Sequence, residues 1–374
     1  MRLSDFKFKL SDDNIAQYPR LHAEDAKMLV LHKSTGRIEH RCVANMAEYF
    51  DESDLFVANN AKIFPARLYA TKDKTLARIE VFLLRELNHD ECYWDTLVEP
   101  ARKIRIGNKL FFDDDNAIIG EIIDNTTARG RTIRFLSDFT PDELVQKLYD
   151  MGSTPLPPSI RRPMKESVQA EFKREYMLDD DTDINAFLKQ LDANRYQSVF
   201  ATEIGAVSVS APALHISRNM LKRLELRGID TATITVFNGL SSMQEIEVED
   251  LSKHKSDSEQ IILPPDVAEK INKTKAAGHN VVAIGTEIFR AMEHVAGTNG
   301  LVKPYNGWTA RFIYPPYDTL VADAALFNFY QPMSLQLLLV AAFGGYDFVM
   351  KAYKEAIKHD YRFGEYGDAM LIVP

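Results

Sequence analysis

The sequence predicts an α/β protein: a discontinuous α/β domain with a largely parallel sheet, residues 1–64 and 153–374, that carries an inserted small β-barrel, residues 65–152. Three observations carry this. After Arg195, strand-like runs such as DTATITV, NVVAIG and ARFIY alternate with helical ones, the pattern of strand–helix–strand units. Between Arg67 and Leu136 the chain instead holds short strands separated by Gly, Asn and Asp clusters, a spacing that suits a closed barrel. The length, 374 residues, exceeds the usual span of one hydrophobic core.

Taken in order, the N-terminal sixty residues, including LFVAN at Leu55 to Asn59, are expected to belong to the α/β domain. The barrel strands are RIEVFLL, CYWDTLV, KLFF, AIIGEII and RTIRFL. A helix follows, with Thr140 as its cap, Pro141 in its first turn and Glu143 completing a capping box. Gly152 is expected to end it in a left-handed conformation. PLPP at Pro155 to Pro158 is a rigid break, and the charged stretch from Arg161 to Asn194 reads as an exposed connection. LDDDTDIN within it lacks the glycine and distal glutamate of a calcium loop. Helices are expected over Ser217 to Arg227, Pro265 to Ala277, Glu287 to Ala296, Pro332 to Phe343 and Tyr346 to Lys358.

Composition excludes several classes. The longest apolar run, Leu337 to Phe343, is far short of the roughly 20 residues of a membrane span, and the N-terminus has no hydrophobic signal core, so a cytosolic (cytoplasmic) protein with no membrane association is expected. Cys42 and Cys92 form neither a CxxC pair nor a disulfide framework. Nine histidines show no ligand-like spacing, so no metal is expected. With 45 basic and 54 acidic side chains the net charge is −9, which argues against non-specific nucleic-acid binding. Two local basic segments stand out: Arg102, Lys103, Arg105 and Lys109, and Arg161, Arg162, Lys165, Lys173 and Arg174.

In open α/β sheets, ligands gather where strands lead into helices whose first N–H groups are free. VVAIGTEIFRAME, DAALFNFYQP and ITVFNGLSSM have that form. Each also has a plainer reading: Gly285 as a turn glycine, Arg290 and Glu293 as an intrahelical pair, Asn328 as a side chain capping its own loop. The chain contains no Walker loop, GxGxxG, HExxH or GxSxG.

Taken together, NNAKIFPARL, RIEVFLLREL, MGSTPLPPSIRR, NRYQSVFATEIGAV, LHIS, GTEIFRAME, FIYPPY, NFYQP and YRFGEYGDAMLI resemble the S-adenosylmethionine:tRNA ribosyltransferase-isomerase family of queuosine biosynthesis across nearly the whole chain. The resemblance implies a discontinuous α/β domain with an inserted barrel. It also implies S-adenosylmethionine as the ribosyl-donating substrate, a tRNA anticodon stem-loop as partner, and transfer of the ribosyl group to an aminomethyl-deazaguanine with loss of methionine and adenine. Such a reaction needs a base beside the sulfonium and an acid for departing adenine.

The family pattern retains His215, Arg290 and Asp368, expected in catalytic roles. It also retains Arg67, Arg195, Tyr196, Gln197, Glu259, Thr286, Glu293, Asp323, Asn328 and Tyr366, expected to bind substrate, together with Gly367. By this resemblance His215 is the acid–base candidate, Arg290 a holder of the methionine carboxylate, and Asn328 or Asp368 a contact to a nucleoside edge. Where the family carries histidine, this chain has Phe237, Asp257 and Tyr330; Glu287 stands for a threonine, and Ser241 and Ser242 for a Gly-Thr pair.

Overall fold

The computed structural model describes residues 1–113, 115–126, 129–239 and 246–374; Ser241 and Ser242 lie outside the described residues. Two compact units are present: Met1–Lys62 with Pro157–Glu203 and Ser208–Pro374, and Ile63–Leu156 with Ile204–Val207.

The larger unit is built on a nine-stranded sheet in the order Tyr305–Thr309, Glu259–Leu263, Asp230–Phe237, Leu55–Asn59, Val281–Ile284, Ala324–Asn328, Ala369–Val373, Lys27–His32, Arg37–Cys42. The centre, from Asp230–Phe237 to Ala324–Asn328, is parallel, and the pairings at both margins include antiparallel ones. Four strands, Leu55–Asn59, Val281–Ile284, Ala324–Asn328 and Ala369–Val373, are buried along their whole length. Helices therefore cover both faces, and these strands read as continuous apolar runs rather than as alternating ones.

The period of two sorts their side chains. Leu55, Val57, Val281, Ala283, Ala325 and Phe327 join one core with the helices Thr286–Val295 and Leu335–Gly344. Phe56, Ala58, Val282, Ile284, Ala324 and Leu326 join the other with Met220 and Leu224 of the helix Arg218–Leu226. That helix has the expected Ser217 cap, whose hydroxyl accepts from Met220 N at 3.0 Å, and Gly228 beyond it has φ +71°.

Two expectations are corrected here. The charged stretch after the PLPP break is not a bare connection: it forms the helices Glu166–Glu175 and Ile184–Arg195, which close a small core of Tyr18, Met164, Phe172 and Leu188. Sparse apolar residues at helical spacing were enough to do this. Within LDDDTDIN, Asp183 caps the second helix by accepting from Asn185 N and Ala186 N. Nor does Pro332 open the next helix; Leu335–Gly344 starts after Ser334, whose hydroxyl accepts from Leu337 N at 3.2 Å.

The smaller unit holds a closed antiparallel barrel in the order Gly130–Leu136, Tyr93–Glu99, Arg78–Asn88, Arg67–Lys72, Lys109–Phe111, Ile119–Asp124. Trp94, Thr96 and Val98 alternate inward along one strand, and closure leaves the short strands no free edge. The helix Pro141–Met151 has the expected capping box at Thr140 and Glu143.

Gly152 does not adopt the expected left-handed conformation. Its φ of −71° and ψ of 162° are extended, and glycine is needed there because a Cβ would collide with the Pro65 carbonyl oxygen. Gly152→Ala is accordingly expected to lower stability by about 1 to 3 kcal/mol. A shift of the chemical-denaturation midpoint would measure it, and an unchanged midpoint would refute the close-packing account.

Candidate active site

The strand Val281–Ile284 ends at Gly285, whose φ of +106° turns the chain sharply into the helix Thr286–Val295. The first two turns of this helix put Thr286, Glu287 and Arg290 on one side of a narrow cleft. Glu259, Asn238, Ser208 and Tyr330 line the rest of it, with Leu335 and Leu339 as an aliphatic wall.

Arg290 and Glu259 form an ion pair with side chains only 4% and 3% exposed. Desolvation draws the guanidinium down to about 10, so it stays charged at neutral pH. Its second amino group, Nη1, has no hydrogen-bond partner among the described residues, which leaves a buried cationic donor at the cleft.

Glu287 differs from its neighbours. Burial pushes its carboxyl up to about 7, the Ser210 hydroxyl and the helix backbone opposing that rise, and no opposite charge among the described residues neutralises it. Its Oε1 has no hydrogen-bond partner among the described residues. The carboxyl folds back over Gly285, where any Cβ would collide with it. Tyr330 is also buried; its phenol is raised well above the ordinary tyrosine range by desolvation and then by the neighbouring Glu287.

A second cleft is lined by Arg20, Arg195, His215, Glu365, Tyr366 and Gly367, and Glu365 borders both. Asn328, fully buried at the end of its strand, donates from Nδ2 to the carbonyls of Gly364 at 2.9 Å and Glu365 at 3.2 Å. These two bonds fix the amide orientation, so Oδ1 faces His215 Nε2 at 3.0 Å and accepts its hydrogen. Burial lowers the His215 pKa, with Asp368 and Asn328 opposing, so the ring is neutral near pH 7.

Other expected site residues hold the framework around these clefts. Asp368 accepts from Arg20, from Lys27 N at 2.9 Å and from Arg362 N at 2.8 Å. Tyr366 donates to Asp192 at 2.9 Å, Arg162 grips the same carboxylate, and Tyr196 packs edge-on against the Tyr366 ring. Arg195 donates to the carbonyls of Arg20 and Leu21, and Gln197 lines a neighbouring surface cleft.

Three further residues lie outside both clefts. Glu293 is fully buried but does not pair with Arg290; it accepts from Tyr317 and from the N–H groups of Leu320 and Val321. Asp323 pairs with Lys275 at 2.9 Å and accepts from Val281 N. Arg67 sits in the barrel unit, paired with Glu80 and donating to the Leu156 carbonyl. Of the altered histidine positions, Tyr330 lies in the first cleft, Phe237 ends the strand preceding the cleft residue Asn238, and Asp257 is exposed. Glu365 escaped the sequence reading, although it lies inside the YRFGEYGDAMLI motif.

One cluster with ligand-like geometry occurs among the described residues, His40, Glu355 and His359, whose ligand atoms lie within 4.8 Å of one another. Spacing could not reveal it, because His40 comes from a distant strand.

The model of the queuosine biosynthesis protein family matches residues 3–372. The chain belongs to this family. It is 50% identical to the S-adenosylmethionine:tRNA ribosyltransferase-isomerase of Phocaeicola vulgatus, over 100% of this chain and 99% of that one. It is 48% identical to the enzyme of the same name from Parabacteroides distasonis, over the full length of both. The crystal structure of S-adenosylmethionine tRNA ribosyltransferase from Thermotoga maritima superposes with a TM-score of 0.53 at 28% identity, covering 99% of this chain and 100% of that one. This queuosine-family enzyme thus shares its α/β and barrel architecture with a solved relative, while its first cleft carries Glu287 and Tyr330.

Two outcomes follow from the geometry of this family member. Asn328→Ala removes the partners of two buried carbonyls and of His215, and is expected to cost about 2 to 4 kcal/mol in denaturant unfolding. For Glu287, the folded chain holds its proton up to about pH 7 whereas an ordinary glutamate releases it near 4.5. Over that window the folded state binds more protons, so stability falls as pH rises, and Glu287→Gln is expected to flatten the decline. Parallel pH–stability curves for the two proteins would contradict the assigned burial of the charge.

Proposed function

We propose that this family member transfers and isomerises the ribosyl moiety of S-adenosylmethionine onto the aminomethyl group of a 7-deazaguanine at the tRNA wobble position, giving epoxyqueuosine. The observation that carries this is the full-length match to enzymes of that name, combined with a cleft whose buried Arg290 offers a free cationic donor. In this reading Arg290 holds the methionine carboxylate, Glu259 keeps the guanidinium oriented, and the apolar wall of Leu335 and Leu339 excludes water from the reacting sugar. Asn328 and His215 act by fixing the loop that carries Glu365 and Tyr366. The anticodon stem-loop meets basic side chains; Arg102, Lys103, Arg105 and Lys109 are all exposed, which suits contact with a phosphate backbone.

The direct test combines purified protein, S-adenosylmethionine and tRNA bearing the aminomethyl-deazaguanine, and follows adenine release and epoxyqueuosine by mass spectrometry. Turnover supports the proposal. A folded, tRNA-binding sample that releases no adenine sinks it and favours a relative with different nucleoside chemistry or a non-catalytic binding role, the second reading to which Phe237, Asp257 and Tyr330 point. Arg290→Lys keeps the charge but loses the fork, so the KM for S-adenosylmethionine is expected to rise about tenfold, equivalent to about 1.4 kcal/mol. An unchanged KM would remove Arg290 from the carboxylate site.

A further inference from the structure

We propose that Glu287 is the general acid of this cleft, donating its carboxyl proton to a ring nitrogen of the departing adenine. The inference rests on the proposed ribosyl transfer and adds to it a residue that the family pattern does not supply, since threonine stands at this position in the resemblance.

The geometry singles out Glu287. Its carboxyl is buried in the cleft wall, and Oε1 has no partner among the described residues. A buried carboxyl without a cationic partner is more stable as the neutral acid than as the anion. In that form it carries an O–H, and the unpartnered oxygen lets that hydrogen meet a ligand's lone pair. Gly285 leaves the room the carboxyl occupies.

The other titratable and charged groups of the cleft do not compete for the role. Arg290 and Glu259 are committed to each other. Tyr330, from the loop after the strand Ala324–Asn328, holds its proton far too tightly to serve near neutral pH. Glu365, from the C-terminal loop, is also raised by burial and is engaged by the Ser159 hydroxyl as Glu287 is by Ser210, but of the two only Glu287 leaves a buried carboxyl oxygen without a partner among the described residues. Near Glu287 the cleft offers the Tyr330 ring, the Leu335 and Leu339 side chains, and the amide of Asn238. A flat nitrogen heterocycle finds there both an apolar surface and polar edge contacts.

The step balances without a co-reactant. As the bond between the sugar carbon and the adenine nitrogen breaks, its electron pair leaves with adenine, and a lone pair of the sugar ring oxygen stabilises the positive charge left on that carbon. The Glu287 proton moves to a ring nitrogen of the leaving base, and neutral adenine departs. Glu287 is left as a carboxylate, which takes a proton from solvent before the next turnover. A group that titrates near pH 7 suits both halves of that cycle.

The test compares wild-type protein with Glu287→Gln, which preserves shape and removes a buried ionisable group. For the wild type, kcat for adenine release from S-adenosylmethionine with substrate tRNA is expected to fall as pH rises above about 7, as the acid form is lost. Glu287→Gln is expected to lose at least about tenfold in kcat, with a smaller change in KM, and to lose the alkaline limb of the profile. Adenine itself is the second probe, read by calorimetry between pH 6 and 8.5. Wild-type affinity is expected to weaken across that range. Glu287→Gln, whose amide donates at every pH, is expected to bind adenine without pH dependence.

A wild-type kcat and pH profile in Glu287→Gln would overturn the proposal, and so would pH-independent adenine binding by the wild type. If the wild type binds adenine with the expected pH dependence yet turns over no S-adenosylmethionine, the ribosyl-transfer reading fails while Glu287 stands as the donor to the base.

Discussion

The arrangement of both clefts depends on one side-chain amide. Asn328 sits at the carboxyl end of a fully buried strand, where a partnerless amide is costly. It escapes that cost by satisfying three groups at once: two carbonyls of the C-terminal loop and the imidazole of His215. The loop so held carries Glu365, which borders both clefts, and Asp368, which fastens Arg20 and the start of the strand Lys27–His32. A polar network of this kind is stable only when complete. The strand end, the turn Ala211–His215 and the C-terminal segment therefore have one mutually consistent arrangement.

Around that anchor, charge is distributed unevenly. One cleft wall holds Arg290, a cation buried with a single carboxylate partner and a donor to spare. The adjacent turn holds Glu287, a carboxyl that no cation among the described residues neutralises. Both lie within two turns of a single helix, yet their environments push them in opposite functional directions. Arg290 stays ionised because its pKa starts so high that burial cannot bring it to neutrality. Glu287 starts low enough that the same desolvation places it near pH 7. Pairs of groups separated by environment in this way mark binding and proton-transfer roles more reliably than does either residue type alone.

Much of this was legible in the sequence, and the limits are physical. The strand-to-helix junction at Gly285 was readable because a glycine between a buried apolar strand and a helical period has few other uses, and its φ of +106° agrees. Ser217, Thr140 and Gly228 were readable because caps and helix ends have local chemistry. Gly152 was misread for the complementary reason: its need for glycine comes from Pro65, far away in the chain. The small core of Tyr18, Met164, Phe172 and Leu188 was invisible because so few apolar residues sit within so much charge. Of the candidate site residues, Arg290, Glu259 and Thr286 meet in one cleft, and Arg195, His215 and Tyr366 in the other. That Glu293 and Asp323 serve structural contacts could not be read from spacing, since their partners are backbone N–H groups and the side chains Tyr317 and Lys275 from other segments.

The replacements in the first cleft are physically coupled rather than independent. A tyrosine at position 330 cannot titrate near neutral pH, and burial beside Glu287 moves it further from doing so. It does supply an aromatic surface and makes a hydrogen bond with Thr286. Glu287 supplies the converse: no surface to speak of, but a proton that comes off near pH 7. Burial raises both groups, and any negative charge on the carboxyl would raise the ring further. A cleft of two neutral donors beside one buried guanidinium can hold an uncharged base and a carboxylate together, without placing a second negative charge where the carboxylate must enter. The scaffold that resembles the family so closely therefore houses a cleft whose proton inventory is its own.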